Sequence, residues 1–158
     1  QVASDGIRFH REGPLTPIAL ETNVHPGFMT DWQPPFVLLL TQAQGMSVLH
    51  ETVFEDRFGY ACELQRMGAD IALYDACLGG ADCRFKFRNY NHSCVIKGPA
   101  KLHGADITVP DLRAGFTYII AALIAEGRST ITGIEHIERG YENLEQSLKT
   151  LGARIEKG

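Results

Sequence analysis

The chain has 158 residues, 44% hydrophobic and 22% charged, enough for one compact domain with a real core. Its formal net charge of −4 supplies no global basic field for nucleic acid or an anionic membrane. Apolar runs such as Ile18–Leu20 and Phe36–Leu40 are far too short to span a bilayer.

Residues 1–15, "QVASDGIRFHREGPL", read as an irregular, polar cut end without the apolar core of a signal peptide. Residues 16–76 read as a first unit of strand, helix, strand, helix, strand. Its first helix falls in "TDWQPPFVLLLTQAQG", residues 30–45, closed by Gly45. A β-rich segment, "MSVLHETVF", follows. Then come Asp56-Arg57-Phe58-Gly59-Tyr60 and a short amphipathic helix and strand, "ELQRMGADI". Residues 77–100 read as a connecting hairpin with an insertion. Gly79-Gly80 marks a turn and "CRFKFRNY" alternates like a strand.

Residues 101–158 repeat the first unit. "PDLRAGFTYIIAALIAEG", residues 110–127, places Asp111 five positions before Phe116, as Asp31 stands before Phe36. Paired aliphatics fall eight and nine positions after each Asp, at Leu39-Leu40 and Ile119-Ile120, and Gly127 closes the block. "RSTITGI" is the matching strand, Glu138-Arg139-Gly140-Tyr141 the matching acid–arginine pair, and "SLKTLGARI" the matching helix and strand. Several residue classes recurring in one order indicate duplication of a supersecondary unit that cannot bury its apolar face alone. Leu112, Phe116, Ile119, Ile120 and Leu123 fall on one helical stripe, and Tyr141, Leu144, Leu148 and Leu151 on another.

The four cysteines, Cys62, Cys77, Cys83 and Cys94, read as reduced thiols. Cys77, Cys83, His92 and Cys94 form C-x5-C-x8-H-x-C, which matches no common zinc module, so no metal is expected. No Walker A or GxGxxG run is present. His50, His103 and His136 show no triad partners and read as structural.

Asp31 and Asp111 each precede a helix. Each suits an N-cap; each also suits a carboxylate that orients or deprotonates a hydroxyl beside free helix N–H donors. Arg57 and Arg139 stand at corresponding joints of the repeats, and Arg113 at a helix start. They read either as surface partners of neighbouring acids or as planar forks converging on a small, multiply charged anion.

In order and over most of the chain, "HPGFMTDWQPPFVLLLTQAQGMSVLHETVFEDRFGYACELQRMGADI", "PDLRAGFTYIIAALIAEGRSTI" and "HIERGYENLEQSLKTLGARIE" resemble the enolpyruvyl transferase family. "TVFEDRF" and "ERGYE" resemble its sugar-nucleotide branch rather than the branch acting on shikimate 3-phosphate. The resemblance implies an α/β (α+β) fold of repeated βαβαββ units in an inside-out α/β barrel, with two units present here. It implies transfer of enolpyruvyl from phosphoenolpyruvate to the 3′-hydroxyl of UDP-N-acetylglucosamine with release of phosphate, in the cytoplasm, at the start of peptidoglycan synthesis. No cofactor, metal, nucleic acid or membrane is implied.

By the same resemblance, Asp31 is the base and contacts the sugar nucleotide, while Val53, through its backbone, and Phe54 line the nucleotide-sugar site. Arg57, Arg113 and Arg139 surround phosphoenolpyruvate and phosphate, and Asp111 is the second active-site carboxylate. The family's proton-donating loop cysteine and its N-terminal Lys-Asn pair belong elsewhere, and no cysteine here sits in the matching motif. A second domain is therefore expected to complete the site, and this chain alone is expected to be inactive. The alternatives are a paralogue with another acceptor, or a non-catalytic repeat domain binding anions or a partner. The 75–95 insertion has no functional reading beyond a surface loop.

Overall fold

Two parallel strand pairs, each bridged by a helix, organise the computed structural model, which describes residues 2–4, 6–81 and 83–157. A small antiparallel pair, β1 (Val2–Ala3) and β2 (Gly6–Ile7), precedes them. The first unit runs β3 (Ala19–Glu21), α1 (Gln33–Leu40), β4 (Gly45–His50), α2 (Ala61–Arg66), β5 (Asp70–Tyr74) and β6 (Ser93–Gly98). Its sheet has the order β3-β4-β6-β5. β3 runs parallel to β4, a pairing that needs a crossover, supplied by α1. β6 lies antiparallel between β4 and β5, completing a βαβαββ arrangement. The second unit contains β7 (Asp106–Thr108), α3 (Leu112–Ile124), β8 (Thr130–Thr132), α4 (Glu135–Glu138) and α5 (Leu144–Thr150), with β7 parallel to β8.

The duplication is visible in how helices end. Gly68 (φ +101°) and Gly152 (φ +96°) both take the left-handed conformation that favours glycine. After α2, Gly68 N–H donates to the Gln65 carbonyl and Ala69 N–H to the Leu64 carbonyl, both at 2.9 Å. After α5, Gly152 N–H donates to Lys149 at 2.9 Å and Ala153 N–H to Leu148 at 3.0 Å. These are two copies of one Schellman closure, made by Met67-Gly68-Ala69 and Leu151-Gly152-Ala153.

A single apolar cluster joins the units. Val37, Leu38 and Leu40 of α1 and Tyr118, Ile119 and Ala121 of α3 are buried in it with Leu49, Leu64 and Ile96. Gly115 lets α3 approach its neighbours, since a Cβ there would lie 2.6 Å from Ile137 Cγ1 and 2.9 Å from Val109 Cγ1. Cys94 faces the same cluster, and burial pushes its thiol up to about 12. Such a thiol is inert packing rather than chemistry.

Several local expectations differ from the structure. "CRFKFRNY" forms turns rather than a strand, because β6, starting only at Ser93, is the strand that pairs with β5. The buried face of α3 is Ala114, Gly115, Thr117, Tyr118 and Ala121 with Ile119. Leu112 and Leu123, expected on the same stripe as the buried Ile119, are exposed; Tyr118 fills the face instead, and Ala114, Gly115 and Ala121 beside it leave room for close approach. Tyr141 precedes α5 and stacks on Phe116 at 4.9 Å, and Leu151 is exposed beyond the helix end. Among the described residues "ARI" of the second unit forms no strand, whereas its counterpart β5 has β6 to pair with.

Candidate active site

The two units meet at the start of their helices. Asp31 lies in a 3-10 turn, Thr30–Trp32, just before α1. Its side chain caps nothing: Trp32 is the N-cap of α1 and makes no side-chain cap bond. Capping of both helices by aspartate is thus corrected for Asp31. The prolines in the first turn of α1 explain why, since they remove N–H donors that a cap would satisfy. Asp31 turns instead to arginine. Arg57 Nη2 donates to Asp31 Oδ1 at 2.9 Å, and Arg113 Nε lies 3.2 Å from the same oxygen. Arg57 belongs to the first unit and Arg113 to the second, so the carboxylate joins the two.

Phe54 supports both guanidinium groups, whose central carbons lie 5.1 Å (Arg57) and 5.8 Å (Arg113) from its ring centroid. The Arg57 side chain is only 9% exposed, against 62% for Asp31. Its Nε is buried without a hydrogen-bond partner among the described residues. Exposed ion pairs add little stability, so the convergence is better understood as positioning.

Asp111 does cap its helix. In extended conformation (φ −159°), it accepts from Arg113 N–H at 2.7 Å and Ala114 N–H at 3.0 Å, both on Oδ1. Asp111→Ala is expected to lower stability by about 1 kcal/mol, whereas Asp111→Asn keeps the cap. Thermal melts of the two variants check this. An activity loss in the Asn variant, with its melt unchanged, belongs to chemistry rather than folding.

A cleft of about 620 Å³ opens here, lined by Asp31, Asp111, Arg113, His136, Arg139 and Tyr141 among others. Arg139 follows α4 as its C-cap and is exposed. Its side chain is not paired with Glu138, which binds Lys157 at 3.3 Å, and makes no ion pair or hydrogen bond among the described residues. Arg57 likewise ignores Asp56, whose left-handed backbone (φ 48°) opens the turn. Two carboxylates flanked by guanidinium groups can hold an anion and accept a proton from a hydroxyl.

Val53 and Phe54 are fixed from below by Glu51, which sequence reasoning missed. The fully buried Glu51 accepts at Oε1 from Thr22 Oγ1 and from the N–H groups of Val53 and Phe54, at 2.8 to 2.9 Å. At Oε2 it accepts from Thr30 Oγ1 and Gln33 Nε2, both at 2.9 Å. Gln33 Oε1 in turn accepts from the Tyr60 hydroxyl at 3.0 Å, and burial holds that phenol well above its ordinary pKa, as a donor. The Val53 carbonyl accepts from Arg84 of the 75–92 loop. Gln33, the counterpart of Arg113 in the first unit, is thus buried beneath the site rather than facing it.

Among relatives, the chain is 57% identical over 155 residues to the UDP-N-acetylglucosamine 1-carboxyvinyltransferase of Protochlamydia amoebophila (strain UWE25), covering 98% of this chain and 33% of that protein. It is 51% identical over 157 residues to the enzyme of the same name from Chlamydia pneumoniae, covering 98% and 34%. Of solved structures, the enolpyruvyl transferase NikO from Streptomyces tendae matches with TM-score 0.75 at 32% identity, covering 92% of this chain and 30% of that one. EPSP synthase from Acinetobacter baumannii shares the fold, with TM-score 0.60 at 17% identity over 92% of this chain and 30% of that one. The fold is therefore the mixed α/β fold of enolpyruvyl transferases, and the chain spans about a third of the length of these relatives. Because the family model of EPSP synthase (3-phosphoshikimate 1-carboxyvinyltransferase) matches residues 3–148, the chain belongs to that family.

Proposed function

We propose that this chain forms one wall of the active site of a cytoplasmic enzyme that transfers enolpyruvyl from phosphoenolpyruvate to the 3′-hydroxyl of UDP-N-acetylglucosamine, releasing phosphate. The observation that carries the reading is the meeting of Arg57 and Arg113, from different units, on Asp31, which lines the cleft with Arg113. The names of the 57% and 51% identical relatives support the acceptor. Among the described residues no helix is long and apolar enough to cross a membrane.

Each residue has a task in this reading. The sugar hydroxyl is a weak nucleophile, and Asp31 takes its proton as C–O bond formation begins. Arg57, Arg113 and Arg139 hold the phosphate and carboxylate of phosphoenolpyruvate and offset the negative charge of the tetrahedral intermediate. Asp111 stands beside the reacting carbon, at the N-terminus of α3. Val53 and Phe54, pinned by Glu51, line the nucleotide side. Two units, residues 16–76 and 101–158, supply these residues, with 77–100 between them adding β6 to the first unit's sheet, and the second domain supplies the rest of the site.

Phosphate release by the intact protein tests the proposal. Release is expected with phosphoenolpyruvate and UDP-N-acetylglucosamine together, and not when shikimate 3-phosphate replaces the sugar nucleotide. The 158-residue chain alone is expected to release none. Release with shikimate 3-phosphate only, or with neither acceptor, overturns the reading.

A further inference from the structure

The 75–92 loop, which the transferase reading does not use, folds back over one end of the first sheet. There β3 ends at Glu21, β4 at His50 and β6 begins at Ser93, with Glu21 opposite His50 and His50 opposite Ser93. The loop brings Cys77 and Cys83 to the same place, beside His92. One ligand atom from each of His50, Cys77, Cys83 and His92 lies within 4.8 Å of the other three. Both histidines are fully buried. Cys77 Sγ lies 3.4 Å from His92 Nε2.

The hydrogen bonds around the rings decide which nitrogen faces the cluster. His50 Nδ1 lies 2.9 Å from Glu21 Oε2, and His92 Nδ1 lies 3.0 Å from the Tyr90 carbonyl. An ionised carboxylate and a backbone carbonyl only accept. Both Nδ1 atoms must therefore donate, which leaves each neutral ring with a lone pair on Nε2. His50 Nε2 is buried and finds no hydrogen-bond partner among the described residues. A buried lone pair without a donor is costly, and a cation is the partner such an atom accepts. The carboxylate–histidine contact is the arrangement that orients metal-bound imidazole. Glu21 is itself held by the loop, through Gly80 N–H at 2.9 Å and Ala81 N–H at 3.0 Å. Gly79 is required there because a Cβ would collide with the Glu21 carboxylate and the His50 ring.

We propose that His50, Cys77, Cys83 and His92 form a structural zinc(II) site that clamps the 75–92 loop onto the end of the sheet. Two thiolates and two imidazoles suit tetrahedral zinc, and four protein ligands leave no position for substrate. On binding, the ion takes the Nε2 lone pairs of both histidines and displaces the thiol protons of Cys77 and Cys83 to solvent. Cys77 and Cys83 also line a surface cleft of about 540 Å³, which gives the ion an entry path. The expectation of no metal rests on the C-x5-C-x8-H-x-C spacing, whose last member, Cys94, belongs to the apolar core. The fourth ligand comes instead from His50, a strand away.

The clamp has a structural output. Arg84, the residue after Cys83, donates to the Val53 carbonyl and stacks over Phe85 at 4.8 Å. The ion thereby holds one rim of the candidate active site.

The test is metal analysis of the intact protein, purified under reducing conditions and dialysed against metal-free buffer. About one zinc per chain is expected, with thiolate-to-metal charge-transfer and tetrahedral d–d bands after cobalt(II) exchange. Cys77→Ser and Cys83→Ser are expected to lose the metal, and Cys62→Ser, at an exposed cysteine, to keep it. Glu21→Gln is expected to retain the ligands but bind about 10–100-fold more weakly. Wild-type protein without metal after zinc supplementation, or with a Cys77–Cys83 disulfide instead, overturns the proposal. So does cobalt absorption that survives Cys83→Ser. The wild-type content and spectrum decide the matter even if a variant fails to fold.

Discussion

Asp31→Asn is expected to lower kcat of the intact enzyme by about 10²–10⁴-fold, the usual contribution of a positioned general base. Arg57 and Arg113 both contact Oδ1, and Oδ2 makes no hydrogen bond or ion pair among the described residues. One oxygen anchors the side chain while the other is available to a hydroxyl proton. Asparagine keeps an oxygen for the arginines but cannot take up the proton, so the loss should appear in kcat with little change in KM for phosphoenolpyruvate. Asp31→Glu retains a base at the wrong reach and should lose less. Steady-state kinetics with saturating UDP-N-acetylglucosamine measure this. An unchanged kcat in the asparagine variant removes Asp31 from the chemistry and favours a purely structural tie between the units.

The second large effect concerns stability. Glu51→Leu is expected to cost about 3–5 kcal/mol, the range for removing one side of a buried charged network. Five donors lose their acceptor at once: Thr22, Thr30, Gln33 and the N–H groups of Val53 and Phe54. Each stranded buried group costs about 1–3 kcal/mol alone, but the losses overlap because the loop can relax. At roughly 2–4 °C per kcal/mol for a domain of this size, calorimetry should show a drop of about 10 °C. Glu51→Gln keeps the volume but points an NH2 group at donors, so it should fall between. A melt unchanged in the leucine variant would mean that the network is replaced by water at no cost.

What could be seen in the sequence, and what could not, follows from distance along the chain. The repeat was legible because Asp, Phe and paired aliphatics recur at fixed spacing, and the Met-Gly-Ala and Leu-Gly-Ala runs that follow the second helices make matching Schellman closures. Asp111 as a cap was legible because its donors, Arg113 and Ala114, are its neighbours. Asp31 looked the same locally but is governed by Arg113 of the other unit, which no window contains. Glu51 carries no signal of its own: an acid at a strand end reads as solvated until Thr22, Thr30 and Gln33 are folded around it. The periodic stripe of α3 locates Ile119 in the core but not Tyr118 or the close approach at Gly115, because the neighbours Ile137 and Val109 that define that face lie outside the helix.

One consequence lies in the end of β4. His50 and Glu51 are adjacent and both fully buried, yet their side chains serve different assemblies, His50 with Glu21 and His92, Glu51 with Thr22 and Gln33. The ladder continues through them, with His50 opposite Ser93 and Glu51 N–H donating to the His92 carbonyl at 2.8 Å. A slip of one residue between β4 and β6 would exchange the two side chains between the faces of the strand. It would put a carboxylate among the thiols and an imidazole among the threonines, destroying both assemblies together. The pairing of these strands is thus specified twice, by polar groups at its end as well as by the apolar side chains along it, and neighbouring registers are penalised far more steeply than the aliphatic pattern alone would require.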